Sequence, residues 1–309
     1  MSVAPATVTA VADRRRQGYA MVAVAYLTMG AIGALVRMTT APESAIVVLR
    51  MAIAGVVLGA LFARRPMLED LRRPGTLPRL AVTGAASAVG LLTFFTALQL
   101  TDVSIGMFLL FMAPVYVALV APRAFGQQTD RVVYPALALA LGGMAVILLP
   151  GLVGDAGSLS AVGVACGVTS GLAYAAYMIA CKDLTRRGAR SSTVVLGELV
   201  ADVVFLLPLA LVQTVFAGVG VTARDLLVCA VLGVVCTVFA YMMWMEGVRR
   251  VRVEHASILG YLEPVSAPLY ALLLLGERPA WTTVLGGALI VVAGVLVVRF
   301  GERDELVPA

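Results

Sequence analysis

The sequence of 309 residues is 61% hydrophobic and only 13% charged, with a formal net charge of +5. Soluble globular proteins carry about 25% charged residues, so this composition cannot supply a polar surface all round and excludes a soluble enzyme. The single histidine excludes a HExxH metalloprotease, and the isolated cysteines form no CxxC pair typical of a zinc site. The chain is therefore predicted to be an all-α polytopic membrane protein that needs no cofactor and no metal.

Apolar stretches long enough to cross a bilayer recur along the whole chain. A membrane-crossing helix needs about 20 mostly apolar residues, and ten such stretches are present, which leaves no room for a large domain outside the membrane. Arg14, Arg15 and Arg16 precede the first stretch as in a signal peptide, but a cleaved apolar region has only ~7–15 residues, so this longer stretch is interpreted as span one. The predicted spans are 19–37, 45–63, 80–99, 103–122, 131–150, 159–180, 193–216, 226–247, 255–275 and 281–299.

The distribution of basic residues predicts the orientation. With the N-terminus in the cytoplasm, 19 of the 23 Lys and Arg residues lie in cytoplasmic tails and links, and only Arg37, Arg224 and Arg278 lie outside. Cytoplasmic loops are enriched in Lys and Arg, so both termini are predicted to be cytoplasmic, in a multi-pass protein of the cell (inner or plasma) membrane. The positive charge is thereby explained by the membrane surface, and no nucleic-acid partner is expected.

The two halves of the chain resemble each other at an offset of 150 residues. Pro114-Val115 coincides with Pro264-Val265, and a glycine follows each proline after twelve residues. Five spans are an odd number, so the second copy must be inverted in the membrane relative to the first. We therefore predict a cytoplasmic tail at 1–18, a first repeat at 19–150, a second repeat at 159–299 and a second cytoplasmic tail at 300–309. Inverted repeats are typical of secondary transporters, whose substrate sites lie near the midplane between the repeats.

Several segments are similar to a known family. Tyr261–Val265 (YLEPV) and Leu272–Arg278 (LLLLGER) resemble the ninth-helix motif of the EamA family, within the drug/metabolite transporter superfamily. Gly286–Ile290 resembles the last helix of that family, Tyr174–Tyr177 resembles the start of its sixth-helix motif, and Leu49-Arg50 resembles its second-helix Leu-Arg.

The sequence also departs from that family's pattern. Met29-Gly30 replaces the first-helix Trp-Gly, and the first-half counterparts of Glu263 and Glu277 are Ala113 and Gln127. The resemblance implies ten helices as two inverted five-helix repeats that move small metabolites, usually outward.

Four ionisable residues within the spans are candidates for a site, because a charge at mid-membrane costs ~2.5–3.5 kcal/mol on insertion scales. Glu263 lies beside Pro264, which removes a backbone N–H, so its carboxylate could bind a cationic group or a proton, or tie spans together. Glu198 and Asp202 share one helix face at i and i+4. They are candidates for proton coupling together with Glu263, although Glu198 could also face interfacial water. Arg50 could hold a substrate carboxylate or extend to the surface.

Aromatic residues and prolines complete the predicted site. Pro114 and Pro264 are expected to break or kink their helices. His255 is interpreted as a solvated residue at a cytoplasmic helix start. The aromatic candidates for the cavity wall, which could equally be packing or interface residues, are Tyr174, Tyr177, Tyr241, Trp244 and Tyr261.

These features predict a secondary transporter that exports a small metabolite, such as an amino acid, a related compound or a drug-like molecule, by alternating access. Proton coupling is one option for its energy source. No catalytic residues are assigned, because neither a nucleophile–base pair nor a metal site is present, and the absence of a GxxxxGK[ST] loop excludes ATP drive within the chain. The expected partners are the substrate and membrane lipid. The alternative is a passive facilitator or a lipid-moving protein of the same fold.

Overall fold

A computed structural model describes residues 5–62, 65–153, 160–217 and 220–301. Helices account for nearly all of these residues, and no β-strand occurs within them. In chain order the helices are α1 (Pro5–Met29), α2 (Ala31–Val36), α3 (Glu43–Phe62), α4 (Arg65–Arg72), α5 (Thr76–Leu100), α6 (Val103–Leu110), α7 (Ala113–Ala124), α8 (Val133–Val153), α9 (Ala161–Arg186), α10 (Ser191–Ala217), α11 (Ala223–Val231), a π-helix (Leu232–Phe239), α12 (Ala240–Val248), α13 (Val253–Leu259), α14 (Leu262–Leu275) and α15 (Trp281–Phe300).

The described residues form ten helical spans that are long and apolar enough to cross a membrane, which confirms the predicted all-α polytopic fold. Six spans are single helices, whereas spans one, four, eight and nine are each built from two or three consecutive segments. Large apolar side chains remain exposed along the outer faces, for example Val56, Leu273 and Phe216. Such a surface suits lipid, because lipid tails are as apolar as these side chains.

The breaks in spans four and nine lie just before the two prolines identified in the sequence. Helix α6 ends at Leu110 and α7 begins at Ala113, while α13 ends at Leu259 and α14 begins at Leu262. Each proline lacks the N–H that would bond the carbonyl four residues earlier, which destabilises that turn.

The two breaks contact each other. The rings of Phe111 and Tyr261, which are 150 residues apart, stack with centroids 5.9 Å apart. The Tyr261 hydroxyl also donates a 2.6 Å hydrogen bond to the Phe111 carbonyl. The interrupted helices of the two halves are therefore joined at their interruptions.

Helices α8 and α15 pack with their backbones in close contact. A Cβ atom placed on Gly143 would lie 2.6 Å from the Gly286 carbonyl oxygen, 2.9 Å from Ile290 Cγ1 and 3.1 Å from Leu289 Cβ. The neighbouring Gly142 is exposed, and a Cβ atom there would meet nothing within 4 Å. Glycine at position 143 therefore permits the close approach of α8 and α15, whereas a side chain at position 142 would not disturb it. Small residues are common where membrane helices pack.

One end of the bundle, which carries Arg73, Arg190 and Arg249, is here called the arginine-rich end. The other, which carries Arg37 and Glu277, is called the opposite end.

Buried polar contacts hold the helices together at the arginine-rich end. His255 is fully buried, with Nδ1 2.8 Å from the Tyr19 hydroxyl and Nε2 2.9 Å from Asp130 Oδ2. The prediction that His255 is solvated is therefore wrong, because partners from span one and from the link before span five enclose it. Lys182 is also buried and donates to the carbonyls of Val248 and Val251 at 2.8 and 2.6 Å.

Candidate functional site

A cavity of about 490 Å³ extends from the opposite end into the bundle. Arg37 lies at its exposed end, and Trp244 lies at its deep end, about one helical turn before α12 stops at Val248. Both halves of the chain contribute to the wall. The wall residues are Tyr26, Met29, Gly30, Ile32, Gly33, Val36, Arg37, Ile46, Val47, Arg50, Ala86, Ser87, Gly90, Leu91, Phe94, Phe95, Leu98, Met107, Leu110, Phe111, Tyr174, Tyr177, Glu198, Tyr241, Trp244, Glu263, Pro264 and Ala267.

Arg50 lies on α3 and lines this cavity. It is 7% exposed, and neither its Nε nor its Nη1 has a hydrogen-bond partner within the described residues. The side chain therefore points inward and does not extend to the surface. Buried guanidinium nitrogens without hydrogen bonds carry a desolvation penalty, and a ligand in the cavity could offset it.

Three carboxylates share Arg50 as a charged neighbour: those of Glu198, Asp202 and Glu263. Glu263 is half-buried in the cavity wall, in the first turn of α14, and its carboxylate accepts no hydrogen bond from the described residues. Glu198 also lines the cavity and accepts a 2.6 Å hydrogen bond from the Tyr177 hydroxyl.

Asp202 differs from the expectation that it faces the cavity. It lies one helical turn beyond Glu198, away from the arginine-rich end, is 1% exposed and is not part of the wall. The Ser87 hydroxyl is near, yet neither carboxylate oxygen of Asp202 makes a hydrogen bond within the described part of the chain. The predicted pairing of Glu198 and Asp202 on one helix face is present, but the i+4 position is covered by neighbouring helices.

These four ionisable groups do not balance in charge. One guanidinium is the charged neighbour of three carboxylates, so full ionisation would leave a net charge of −2 among these largely buried groups. Such uncompensated charges are strongly disfavoured away from water. The site therefore favours a bound proton or an organic cation. Within the described ranges, no group of three His, Cys, Asp or Glu side chains is arranged to hold a metal ion.

Stacked aromatic rings form the deep end of the cavity. Tyr177 lies between Tyr174 and Trp244, with ring centroids 6.1 and 5.7 Å apart and interplanar angles of 13° and 15°. Tyr26 joins them, since its hydroxyl accepts a 2.9 Å hydrogen bond from Trp244 Nε1 and lies 3.2 Å from the Tyr174 hydroxyl. The cavity thus ends in a flat aromatic surface with few exposed polar atoms.

The aromatic candidates divide into two groups. Tyr174, Tyr177, Tyr241 and Trp244 line the cavity, whereas Tyr261 does not. Tyr261 is fully buried against Phe111, so its assignment to the wall was wrong and its hydroxyl serves the contact between the helix breaks.

Sequence reasoning missed Tyr26, although a tyrosine halfway along an apolar span is itself a signal. It also missed Ser87, Phe94 and Phe95, because such residues are common in apolar spans and the sequence does not distinguish the ones that line a cavity.

An ion pair lies at the exposed end of the cavity. Arg37, just after α2, donates through Nη1 to Glu277 Oε2 at 2.9 Å, and its Nη2 contacts Oε1 of the same residue. This hydrogen bonding raises the pKa of Arg37 and lowers the pKa of Glu277. The pair connects the first half of the chain to the second across the end of the bundle.

Comparison with known proteins gives concordant results. The EamA-like transporter family model matches twice, over residues 16–149 and 161–300. An uncharacterized transporter of Archaeoglobus fulgidus is 30% identical over 283 residues, which cover 91% of this chain and 96% of the relative. A probable terminal-alkyne amino-acid exporter of Streptantibioticus cattleyicolor is 30% identical over 269 residues, covering 83% and 84% of the two chains. A solved crystal structure superposes with a TM-score of 0.76 at 19% identity, over 91% of this chain and 96% of that one, and so supports the fold.

Ten apolar helices around a cavity lined from both halves define a multi-pass membrane transporter. The chain belongs to the EamA-like transporter family.

Proposed function

We propose that this protein is a secondary exporter of a small zwitterionic metabolite, an amino acid or a close relative, in the cell membrane. The observation that carries the proposal is the buried guanidinium of Arg50, which has unpartnered nitrogens, in the same cavity wall as the Glu263 carboxylate. A cation and an anion in one apolar cavity match the two charged groups of an amino acid.

Each charged group of the substrate has a counterpart in the wall. Arg50 pairs with the carboxylate, because guanidinium and carboxylate geometries fit in a bidentate manner. Glu263 accepts from the ammonium group, and the aromatic surface at the deep end packs against the side chain. The cavity of about 490 Å³ falls within the ~300–1,000 Å³ typical of small-molecule sites. One relative is named as a probable amino-acid exporter, which agrees with this substrate class.

The energy source is a proton gradient. Glu263 binds the substrate's ammonium group as a carboxylate, so a proton on Glu263 and the substrate compete for the same group. Because their binding is mutually exclusive, protons can move inward while substrate moves outward. The predicted orientation places the termini in the cytoplasm, and the cavity of this conformation then opens outward, toward Arg37. Rocking of the two inverted repeats supplies the alternating access.

Matched substrate analogues test the site. Amino acids, amines lacking the carboxylate and acids lacking the amino group are offered to purified protein, and binding is measured as thermal stabilisation. Arg50→Gln should weaken amino-acid binding about 10- to 150-fold, from ~1.5–3 kcal/mol for a hydrogen bond to a charged group. It should leave amine binding unchanged. Glu263→Gln should weaken the binding of both amino acids and amines and should leave the binding of acids without an amino group unchanged. Arg123→Gln is the matched control, because Arg123 is exposed and lies outside the cavity wall.

Transport is tested in proteoliposomes with imposed pH gradients. Uphill accumulation of the same compound that binds is expected. Equal loss of amine and amino-acid binding in Arg50→Gln would overturn the assignment of the two charged groups. Equilibration without uphill accumulation at any gradient would favour a passive facilitator.

A further inference from the structure

A second cavity, separate from the transport site, lies at the arginine-rich end. It has a volume of about 470 Å³ and lies where spans two and eight end, where span seven begins, and where the links next to them meet. We call it the basic groove. It is lined by Phe62, Arg73, Gly188, Arg190, Ser191, Ser192, Met242, Glu246 and Arg249.

The basic groove carries an excess of positive charge. The side chains of Arg73, Arg190 and Arg249 are 50%, 45% and 38% exposed, so their guanidinium groups reach the groove. Asp70 lies 3.5 Å from both Arg73 and Arg190 but is fully buried, and its Oδ2 accepts hydrogen bonds from the Arg190 N–H and the Thr193 hydroxyl. Asp70 therefore lowers the net positive charge of the groove from a buried position and does not occupy the groove.

Glu246 is the acidic residue of the groove wall, and it is already engaged. It accepts hydrogen bonds from Ser191 Oγ at 2.5 Å and from Arg249 Nη1 at 3.2 Å, and Arg250 Nη2 lies 3.5 Å away. Four arginines thus surround two occupied carboxylates, which leaves room for further negative charge.

The start of helix α10 adds partial positive charge to the basic groove. This helix begins at Ser191 and runs for 27 residues, and its first residues lie in the groove wall beside the arginines. The N-terminus of a helix carries partial positive charge, which favours anions. Asp70 already accepts from the Arg190 backbone N–H and the Thr193 hydroxyl at this terminus, so the exposed arginines supply the donors for a ligand. Guanidinium groups bind phosphate in a bidentate manner, so the groove favours a phosphate group over a neutral polar ligand.

The remaining wall identifies the source of the phosphate. Phe62 is the last residue of α3 and is 41% exposed, and Met242 lies one helical turn before Glu246 in span eight. The groove thus joins the apolar surface of the spans to the basic links, which is the level of lipid headgroups. We propose that the basic groove binds the phosphate of an anionic phospholipid, with an acyl chain along Phe62. Basic pockets between spans at the positively charged side recognise such headgroups in general.

Native mass spectrometry of the full chain in detergent tests this proposal, with palmitoyl-oleoyl phosphatidylglycerol and the matching phosphatidylcholine as probes. Phosphatidylglycerol should be retained and should raise the melting temperature, whereas phosphatidylcholine should do neither. Arg190→Gln combined with Arg249→Gln should weaken retention about 30-fold, from about fivefold per arginine near a membrane surface. The charge-preserving pair Arg190→Lys and Arg249→Lys should restore most of the binding.

Arg123→Gln is the matched control, because Arg123 is exposed and donates to Leu119 on its own helix, outside the groove. Its phosphatidylglycerol retention should equal that of the wild type. Inorganic phosphate at the same concentration should not raise the melting temperature. Equal retention of both lipids, unchanged retention in the double Gln variant, or a full effect of inorganic phosphate would each overturn the proposal. Melting of the lipid-free variants shows whether they are folded. If the double Gln variant does not fold, the double Lys variant still tests whether positive charge at these two positions retains phosphatidylglycerol.

Discussion

Replacing Gly143 by alanine tests the close backbone contact between α8 and α15. The added Cβ would lie 2.6 Å from the Gly286 carbonyl oxygen, whereas carbon and carbonyl oxygen usually approach to ~3.3 Å. Helices α8 and α15 would have to separate locally by roughly 0.7 Å, the difference between those distances. Inserting a methyl group into such a well-packed contact typically costs ~1–3 kcal/mol.

The adjacent glycine provides the control for this change. Gly142→Ala places its Cβ in open space, so only the restriction of the unfolded chain changes, which stabilises by ~0.4–1 kcal/mol. The restriction of the unfolded chain is the same in both variants and cancels, so they should differ by about 1–3 kcal/mol in the free energy of unfolding. Melting in one detergent at one scan rate measures the order, which should be Gly142→Ala at or above the wild type and Gly143→Ala several degrees below. Equal melting of both variants would refute the close contact of α8 and α15.

Three further outcomes are expected. Asp202→Asn should abolish uphill transport in proteoliposomes without unfolding the protein, and wild-type pH dependence in this variant would remove Asp202 from the coupling. Arg37→Gln should raise the pKa of Glu277 toward the ordinary carboxyl value of ~4.3, as followed by NMR titration, because the hydrogen bonds that lower it are lost. In the wild type the ion pair therefore persists above that value and is lost as pH falls through the lowered pKa of Glu277. A cysteine at position 41, with native cysteines removed, should react with an impermeant reagent from outside intact cells, whereas one at the exposed position 187 should react only after the membrane is permeabilised.

Local sequence signals were sufficient for the span architecture. Apolar runs of about 20 residues and the prolines at 114 and 264 act through neighbouring backbone, so spans and breaks could be predicted without tertiary information. Thr222 and Asp225 form a capping box, and their spacing of three residues in the sequence is typical of one. Asp225 also accepts a hydrogen bond from Thr40, which is distant in sequence.

Long-range burial could not be predicted in this way. His255 beside two charged residues suggests a solvated helix start, but its partners Tyr19 and Asp130 are more than 100 residues away in sequence. The π-helix of span eight has a composition that fits an ordinary helix equally well. At the candidate site, the sequence placed Glu198 and Asp202 on one face correctly, but only the packing of neighbouring helices decides which of them reaches the cavity.

The contact between Phe111 and Tyr261 has a mechanical meaning under the proposed inverted arrangement. Two equivalent residues related by a two-fold axis can touch only where they lie close to that axis. If the halves rock about an axis that passes through this contact, the pair moves least, because displacement grows with distance from the axis of rotation. The stacked rings and the hydrogen bond from Tyr261 to Phe111 would then be the pivot of the motion. The helical segments on either side, α6 with α7 and α13 with α14, would rotate about this contact.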